Sequence, residues 1–288
     1  MTEHPERTLT LCISCPDRVG IVARVATFLA QHGGWILESN HHADAGTARF
    51  FMRNVIRAAS LGLDPEEFCV RFAPIAQDFN MDWRLTDSSR PRRVVLLASR
   101  ADHCVVDILH RWRSGDLQCD VPCMISNHED LRALAQYYGV AFHHVPVAPG
   151  SKDTAYARLA ELYEAAAGDV MVLARYMQIL PVDLCQRYAG RIINIHHSFL
   201  PSFIGASPYR QAFDRGVKLI GATCHYVTQE LDDGPIIEQD VIRIDHGDTV
   251  DDLVGYGKDI ERQVLARGLK YHLEDRVFLN GHKTVVFR

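Results

Sequence analysis

Apolar and polar residues alternate from Thr8 to Ser14, with Leu9, Leu11 and Ile13 set against Thr8, Thr10 and Cys12. That period of two predicts a half-buried strand. Pro16-Asp17-Arg18-Val19-Gly20 interrupts it, with Asp17 as the candidate helix cap, and Ile21, Val25, Phe28 and Leu29 then recur at helical spacing. Gly33-Gly34 ends that helix. Trp35–His42 and Ala48–Ile56 read as strands joined around Asp44-Ala45-Gly46, Pro65–Phe79 as an amphipathic helix, and Met81–Leu85 as a short strand. The order is βαββαβ.

The pattern changes after the polar, proline-punctuated stretch Thr86–Arg93, read as a linker over 87–93 between domains at 1–86 and 94–288. Val94–Ala98 is a continuous apolar run, as in a parallel strand buried on both faces. Helical spacing over Val105–Trp112, Asp130–Tyr138 and Thr154–Ala167 alternates with strand-like runs at Val121–Ser126, Ala141–Val145 and Val170–Ala174. Such alternation predicts a Rossmann-like α/β domain: an open, mostly parallel sheet with helices on both faces and its ligand at the carboxyl ends of the strands. Near the C-terminus, Asp248 or Thr249 caps a long helix to about Tyr271. Val277-Phe278-Leu279 and Thr284-Val285-Val286 follow as a hairpin turned at Asn280-Gly281.

Composition narrows the function classes. The chain has 288 residues, 47% hydrophobic, with a formal net charge of -5. That balance disfavours nucleic acid as a partner. No apolar run approaches the ~20 residues of a membrane span, and the charged start Met1–Arg7 does not read as a secretory signal, so a cytoplasmic location is expected. Cys12-Ile13-Ser14-Cys15 has redox-like spacing, but a strand sends Cys12 and Cys15 to opposite faces. The cysteines are therefore read as ordinary apolar residues, and no metal is expected.

Two segments carry chemistry. In Ile192-Ile193-Asn194-Ile195-His196-His197-Ser198 an apolar strand runs into a polar tip, then into Phe199-Leu200-Pro201-Ser202-Phe203. Asn194 and His196 share a parity and project together. An amide there can donate to a developing oxyanion, and an imidazole can do the same or move a proton. In the second segment a strand carries His225, and Leu231-Asp232-Asp233-Gly234-Pro235 turns the chain back into another strand, Ile236–Val241. Asp232 there can orient a water and His196. Each residue also has an ordinary reading, since strand-end Asn and His commonly bond loops and Asp before Asp-Gly-Pro commonly serves a turn. His196 and His197 are adjacent, so their side chains should diverge rather than chelate a metal.

Together these segments resemble the formyltetrahydrofolate-dependent formyltransferase and deformylase family, from about Arg92 to the C-terminus. The resemblance implies Asn194, His196 and Asp232 as catalytic residues, with His225 and His197 near the site. It implies a folate-holding segment over Val172–Leu180, with Tyr176, Met177, Gln178, Ile179 and Leu180 facing the substrate, and Val227–Asp232, including Leu231, closing the other side. Related transformylases often carry Arg where this chain has Gln178. Residues Thr8 to about Leu85 resemble the ACT domain, a ferredoxin-like module that commonly binds small amino acids. That likeness implies an effector loop at Asp17, Arg18, Val19 and Gly20, and a homo-oligomer, dimer or tetramer.

Family members differ in the formyl acceptor. Glycinamide ribonucleotide transformylases resemble one another in a glycine- and serine-rich phosphate loop after the first strand, where this chain has Ser99-Arg100-Ala101-Asp102-His103-Cys104. Methionyl-tRNA formyltransferases carry a basic C-terminal barrel, and this chain ends in a helix and a hairpin. The expectation is hydrolysis of 10-formyltetrahydrofolate by water, without a cofactor, regulated by an amino acid and supplying formate for purine synthesis and one-carbon balance. Two alternatives stay open: transfer to a small amine, and an amino-acid sensor lacking activity.

Overall fold

The computed structural model describes residues 6–202 and 208–288. Met1–Pro5 and Phe203, the last residue of the first motif, lie outside the described residues. The chain divides into two compact units. The first runs to Pro91 and takes in Asp275–Asn280 and Val285–Arg288; the second comprises Arg92–Glu274 and Gly281–Thr284.

In the first unit, β1 (Thr8–Pro16), α1 (Ile21–Gln31), β2 (Ile36–Asp44), β3 (Arg49–Arg57), α2 (Pro65–Asp78) and β4 (Asp82–Asp87) follow in order. The strands form an antiparallel sheet ordered β2-β3-β1-β4. Alternation in β1 sends Leu11, Ile13 and Cys15 into a core with Val25, Phe28 and Phe68 from the helices. Cys12 enters a different cluster with Phe51 and Phe278. Asp64 caps α2 by accepting from the Glu66 and Glu67 amides at 2.9 and 2.8 Å, ahead of Pro65.

Two local expectations need correction. Asp17 does not cap α1: Gly20 holds the N-cap at φ 100° with no side-chain cap bond. The interdomain connection is also shorter than 87–93. Thr86 and Asp87 pair with β1, and Arg92 and Arg93 already pair in the second sheet, leaving only 88–91 between strands. Backbone pairing is indifferent to side-chain polarity, so polar residues at strand ends resembled a linker.

The second unit contains β5 (Arg92–Ala98), α3 (His103–Ser114), β6 (Cys119–Ser126), α4 (Arg132–Tyr138), β7 (Ala141–His144), α5 (Lys152–Ala165) and β8 (Val170–Leu173). It continues through α6 (Val182–Arg187), β9 (Ile192–His196), α7 (Pro208–Arg215), β10 (Leu219–Tyr226), β11 (Ile236–Arg243) and α8 (Val250–Leu273). The sheet order is β11-β10-β9-β8-β5-β6-β7. From β9 to β7 the neighbours are parallel, whereas β10 runs antiparallel to both β9 and β11. The result is a mixed, mostly parallel α/β sheet.

Of the two candidate caps for α8, Thr249 is the one used. Its hydroxyl accepts from the Asp252 amide at 3.2 Å, while Asp252 accepts from the Thr249 amide at 2.8 Å. The hairpin β12 (Val277–Asn280) and β13 (Lys283–Val286) was expected in the catalytic domain. Most of it packs instead in the first unit, where Phe278 and Phe287 bury with Cys12 and Phe51. Arg84 donates to the buried Asp275 at 3.0 Å, and Arg276 to Glu38 at 3.0 Å. The side of β1 and β3 that carries Cys12 and Phe51 needed an apolar cover, and the chain's last residues supply it.

Long helix α8 packs on β10 because Gly268 leaves room for the Cys224 sulfur, which a Cβ would strike. Helix propensity alone would make Gly268→Ala stabilising by about 1 kcal/mol. Overpacking typically costs 1–3 kcal/mol, so the variant should unfold at lower urea concentration than the parent chain.

Candidate active site

The site is set by the register of two strands. Asn194 on β9 lies opposite His225 on β10, and His196 lies opposite Thr223. Directly opposed antiparallel residues share a face about 4.5–5.5 Å apart, so four polar side chains converge at one end of an apolar sheet. Asn194 Nδ2 is 3.1 Å from His225 Nε2. The His225 ring, 2% exposed, holds the Tyr226 carbonyl with Nδ1 at 2.9 Å. Buried Thr223 accepts from the Leu200 amide at 3.0 Å and donates to the Ser198 carbonyl at 2.9 Å. This fastens the loop after β9, which contains a cis Leu200–Pro201 bond.

Asp232 comes from the turn after β10. Its backbone is left-handed at φ 55°, a conformation Asp tolerates better than most residues. Gly234 lets this turn close, since a Cβ there would land on the Tyr226 carbonyl. Asp232 Oδ1 thereby lies 3.2 Å from His196 Nδ1 and 3.9 Å from His225 Nε2. With Nδ1 engaged by the carboxylate, His196 Nε2 is buried and without a protein partner among the described residues. Burial opposes ionisation of Asp232, but the hydrogen bond and charge of His196, with His225 and His197 nearby, hold it below the usual carboxylate range.

A cavity of about 790 Å³ brings these groups together with the expected folate-holding residues. Asn194, His196, His197, His225 and Asp232 line it, as do Tyr176, Met177, Gln178, Ile179, Leu180, Val227 and Leu231. Met177, Ile179 and Leu231 are more than half exposed, a large apolar surface facing open space. The holding segment is tied down at its base. Ser99, at the end of β5, accepts from the Met177 amide at 2.9 Å and donates to Asn127 at 2.7 Å. Tyr156 donates to the Ile179 carbonyl at 2.8 Å.

A second polar cluster on the cavity wall went unread in the sequence. Glu261 on α8, 1% exposed, accepts from Tyr209 and lies 2.8 Å from His103 Nε2 and 3.5 Å from Arg175 Nε. Burial opposes its charge, but these partners hold its pKa down. One turn earlier, Gly257 leaves the space that the Tyr209 ring occupies. The signal was available, since Glu261 falls on the same helical stripe as Ile260, Val264 and Leu265. His103, Cys104 and Glu261 are close enough to share an ion. However, Arg175 already neutralises Glu261, and burial first, then Glu261, raises the Cys104 pKa so that the thiol stays protonated. This cluster does not suit a metal.

His196 and His197 do not diverge fully. Their ring centroids are 5.2 Å apart, edge to face, and both line the cavity. The loop after β9 bends back too soon for strand alternation to separate them. Asp17, Arg18, Val19 and Gly20 lie in the first unit and do not line this cavity. Arg18 stacks 3.9 Å over Phe79 and donates to the Asp78 carbonyl at 2.6 Å, while Val19 is fully exposed.

Comparison with known proteins places this geometry in a family. A family model described as formyl transferase matches residues 92–269. The formyltetrahydrofolate deformylase of Bacillus subtilis is 46% identical over 278 residues, covering 96% of this chain and 93% of that relative. The chain belongs to the formyltetrahydrofolate deformylase family. A crystal structure of a family member from Pseudomonas syringae superposes with a TM-score of 0.98 at 57% identity, over 100% of this chain and 96% of that one. Glycinamide ribonucleotide transformylase 1 from Symbiobacterium toebii, at 32% identity and TM-score 0.65, covers 69% of this chain and 95% of its own.

The environment of His197 yields a prediction. Burial, then the charge of Arg175, pushes its pKa from 6.5 down to about 4. Above pH 6.5 the ring is neutral both folded and unfolded. Between about pH 6.5 and 4 the unfolded chain binds a proton that the folded protein refuses, so stability is lost as the pH is lowered through this range. His197→Gln should remove up to about 1.4 kcal/mol of that loss per pH unit, measured by urea unfolding across this range.

Proposed function

We propose that this chain hydrolyses 10-formyltetrahydrofolate to tetrahydrofolate and formate. The observation that carries the reading is the convergence of Asn194, His196 and Asp232 at one wall of a cavity with an apolar holding segment. A shallow apolar surface at Met177, Ile179 and Leu231 suits a flat heterocycle, and backbone groups of the same segment suit its polar edge. Gln178 leaves the acidic tail to be held without an arginine at that position.

In the mechanism, a water attacks the formyl carbon while His196 Nε2 takes its proton. Asp232, on Nδ1, fixes the tautomer and stabilises the imidazolium that forms. Asn194 and the imidazolium donate to the oxyanion of the tetrahedral adduct. When the bond from carbon to N10 breaks, the imidazolium proton passes to that nitrogen. Formic acid leaves and ionises to formate.

The order β2-β3-β1-β4 supports reading the N-terminal unit as an ACT-like module, with Asp17–Gly20 as its effector loop for a small amino acid. We place the protein in the cytoplasm as a homo-oligomer, releasing formate for purine synthesis and one-carbon balance. No helix among the described residues is long and apolar enough to cross a membrane. The likeness to glycinamide ribonucleotide transformylases supports a second reading, transfer to an amine. Against it, the loop after β5 lacks the phosphate-binding glycines, and Glu261 lines the cavity near it.

Losing one oxyanion donor typically costs about 2.7–4 kcal/mol of barrier. Asn194→Ala should therefore lower kcat by roughly a hundredfold to a thousandfold with little change in folate binding. Near-normal kcat would remove Asn194 from the chemistry. A small amino acid titrated into the wild-type assay should change its rate, and Gly20→Val, which strains a φ of 100°, should abolish that response; an unchanged rate across amino acids removes the effector role.

A further inference from the structure

We propose that His225 is the residue that orients the Asn194 amide for catalysis, through a chain of hydrogen bonds starting at the Tyr226 carbonyl. This rests on the reading that Asn194 is an oxyanion donor, and it assigns His225 a role beyond lining the cavity.

Donors and acceptors decide the orientation of each group in this chain. A carbonyl oxygen only accepts, so His225 Nδ1, 2.9 Å from the Tyr226 oxygen, carries the ring proton. In the neutral ring Nε2 is then a lone pair. Its neighbour, the Asn194 side-chain amide at 3.1 Å, must present its NH2 group and not its oxygen. One N–H of Asn194 is spent on His225, and the other is held in a fixed plane. Without this partner the amide could rotate by half a turn and offer an oxygen to the oxyanion, which repels it.

The chain is anchored at both ends. The peptide that carries the Tyr226 carbonyl is fixed by its own amide, the Val227 N–H, which donates to the Ile192 carbonyl at 2.9 Å. The turn presses on the same carbonyl at Gly234, whose added Cβ would also come within 3.3 Å of His225 Nδ1. Asn194 is set directly opposite His225 by strand register. Burial keeps the ring neutral, lowering its pKa against the opposing Tyr226 bond and the Asp232 charge.

The test is a double-mutant cycle on the full-length protein with 10-formyltetrahydrofolate as substrate. His225→Met fills the space with only a weak sulfur acceptor and should lower kcat about 10–100-fold with KM within threefold. His225→Gln places an oxygen near the Nε2 position and should recover most of that loss. Asn194→Ala combined with His225→Met should be no slower than Asn194→Ala alone, because His225 acts through the amide. If His225→Met does not fold, His225→Asn, too short to reach Asn194, takes its place. Additive losses, a raised KM at unchanged kcat, or a glutamine variant as slow as methionine would overturn the proposal. Failure of the wild type to release formate without an amine would instead overturn hydrolysis, leaving the cycle to be run on the transfer reaction.

Discussion

The site depends on one strand running against the grain of its sheet. Five neighbouring strands are parallel, and β10 enters antiparallel beside β9. That direction sets Asn194 against His225 and His196 against Thr223, and it brings the chain off β10 toward the start of β9. A tight turn must then carry Asp232 back to His196. The left-handed Asp232 and the crowded Gly234 are the local consequences of that return. Shifting the register by one residue would put the imidazoles and the amide on the opposite face.

Much of this was legible in the sequence because it rests on short-range rules. Period-two alternation located β1, continuous apolar runs located β5 and β8, and shared parity placed Asn194 with His196. What was hidden depends on contacts distant in sequence. The hairpin at Phe278 pairs its aromatic face with Phe51, some two hundred residues earlier, and no local pattern announces that destination. Helices α6 and α7 span 6 and 8 residues, too short to establish a period, and neither was expected. Asp17 looked like a cap by residue type, yet a left-handed glycine three residues later took the position. The approach of the His196 and His197 rings came from a loop bend that strand parity does not describe.

The cavity joins two chemistries. One part is the apolar segment Tyr176–Leu180, fixed by Ser99 and Tyr156 and otherwise open. The other is the Glu261 cluster, where a carboxylate buried in a helix stays ionised because Tyr209, His103 and Arg175 meet it. A buried charge with three partners is costly to disturb, so this wall should be rigid. It also presents a satisfied carboxylate against His103, at the start of α3 after β5. Water needs no binding loop, and an internally paired anion does not hinder it.

We propose that water, activated between His196 and Asp232, receives the formyl group. The most direct measurement is turnover of 10-formyltetrahydrofolate by the purified protein in ¹⁸O-labelled water with no amine present, with formate analysed by mass. Hydrolysis should give tetrahydrofolate and formate in equal amounts, the formate carrying one heavy oxygen. No formate until an amine is added, with a formylated amine as the product, would contradict it.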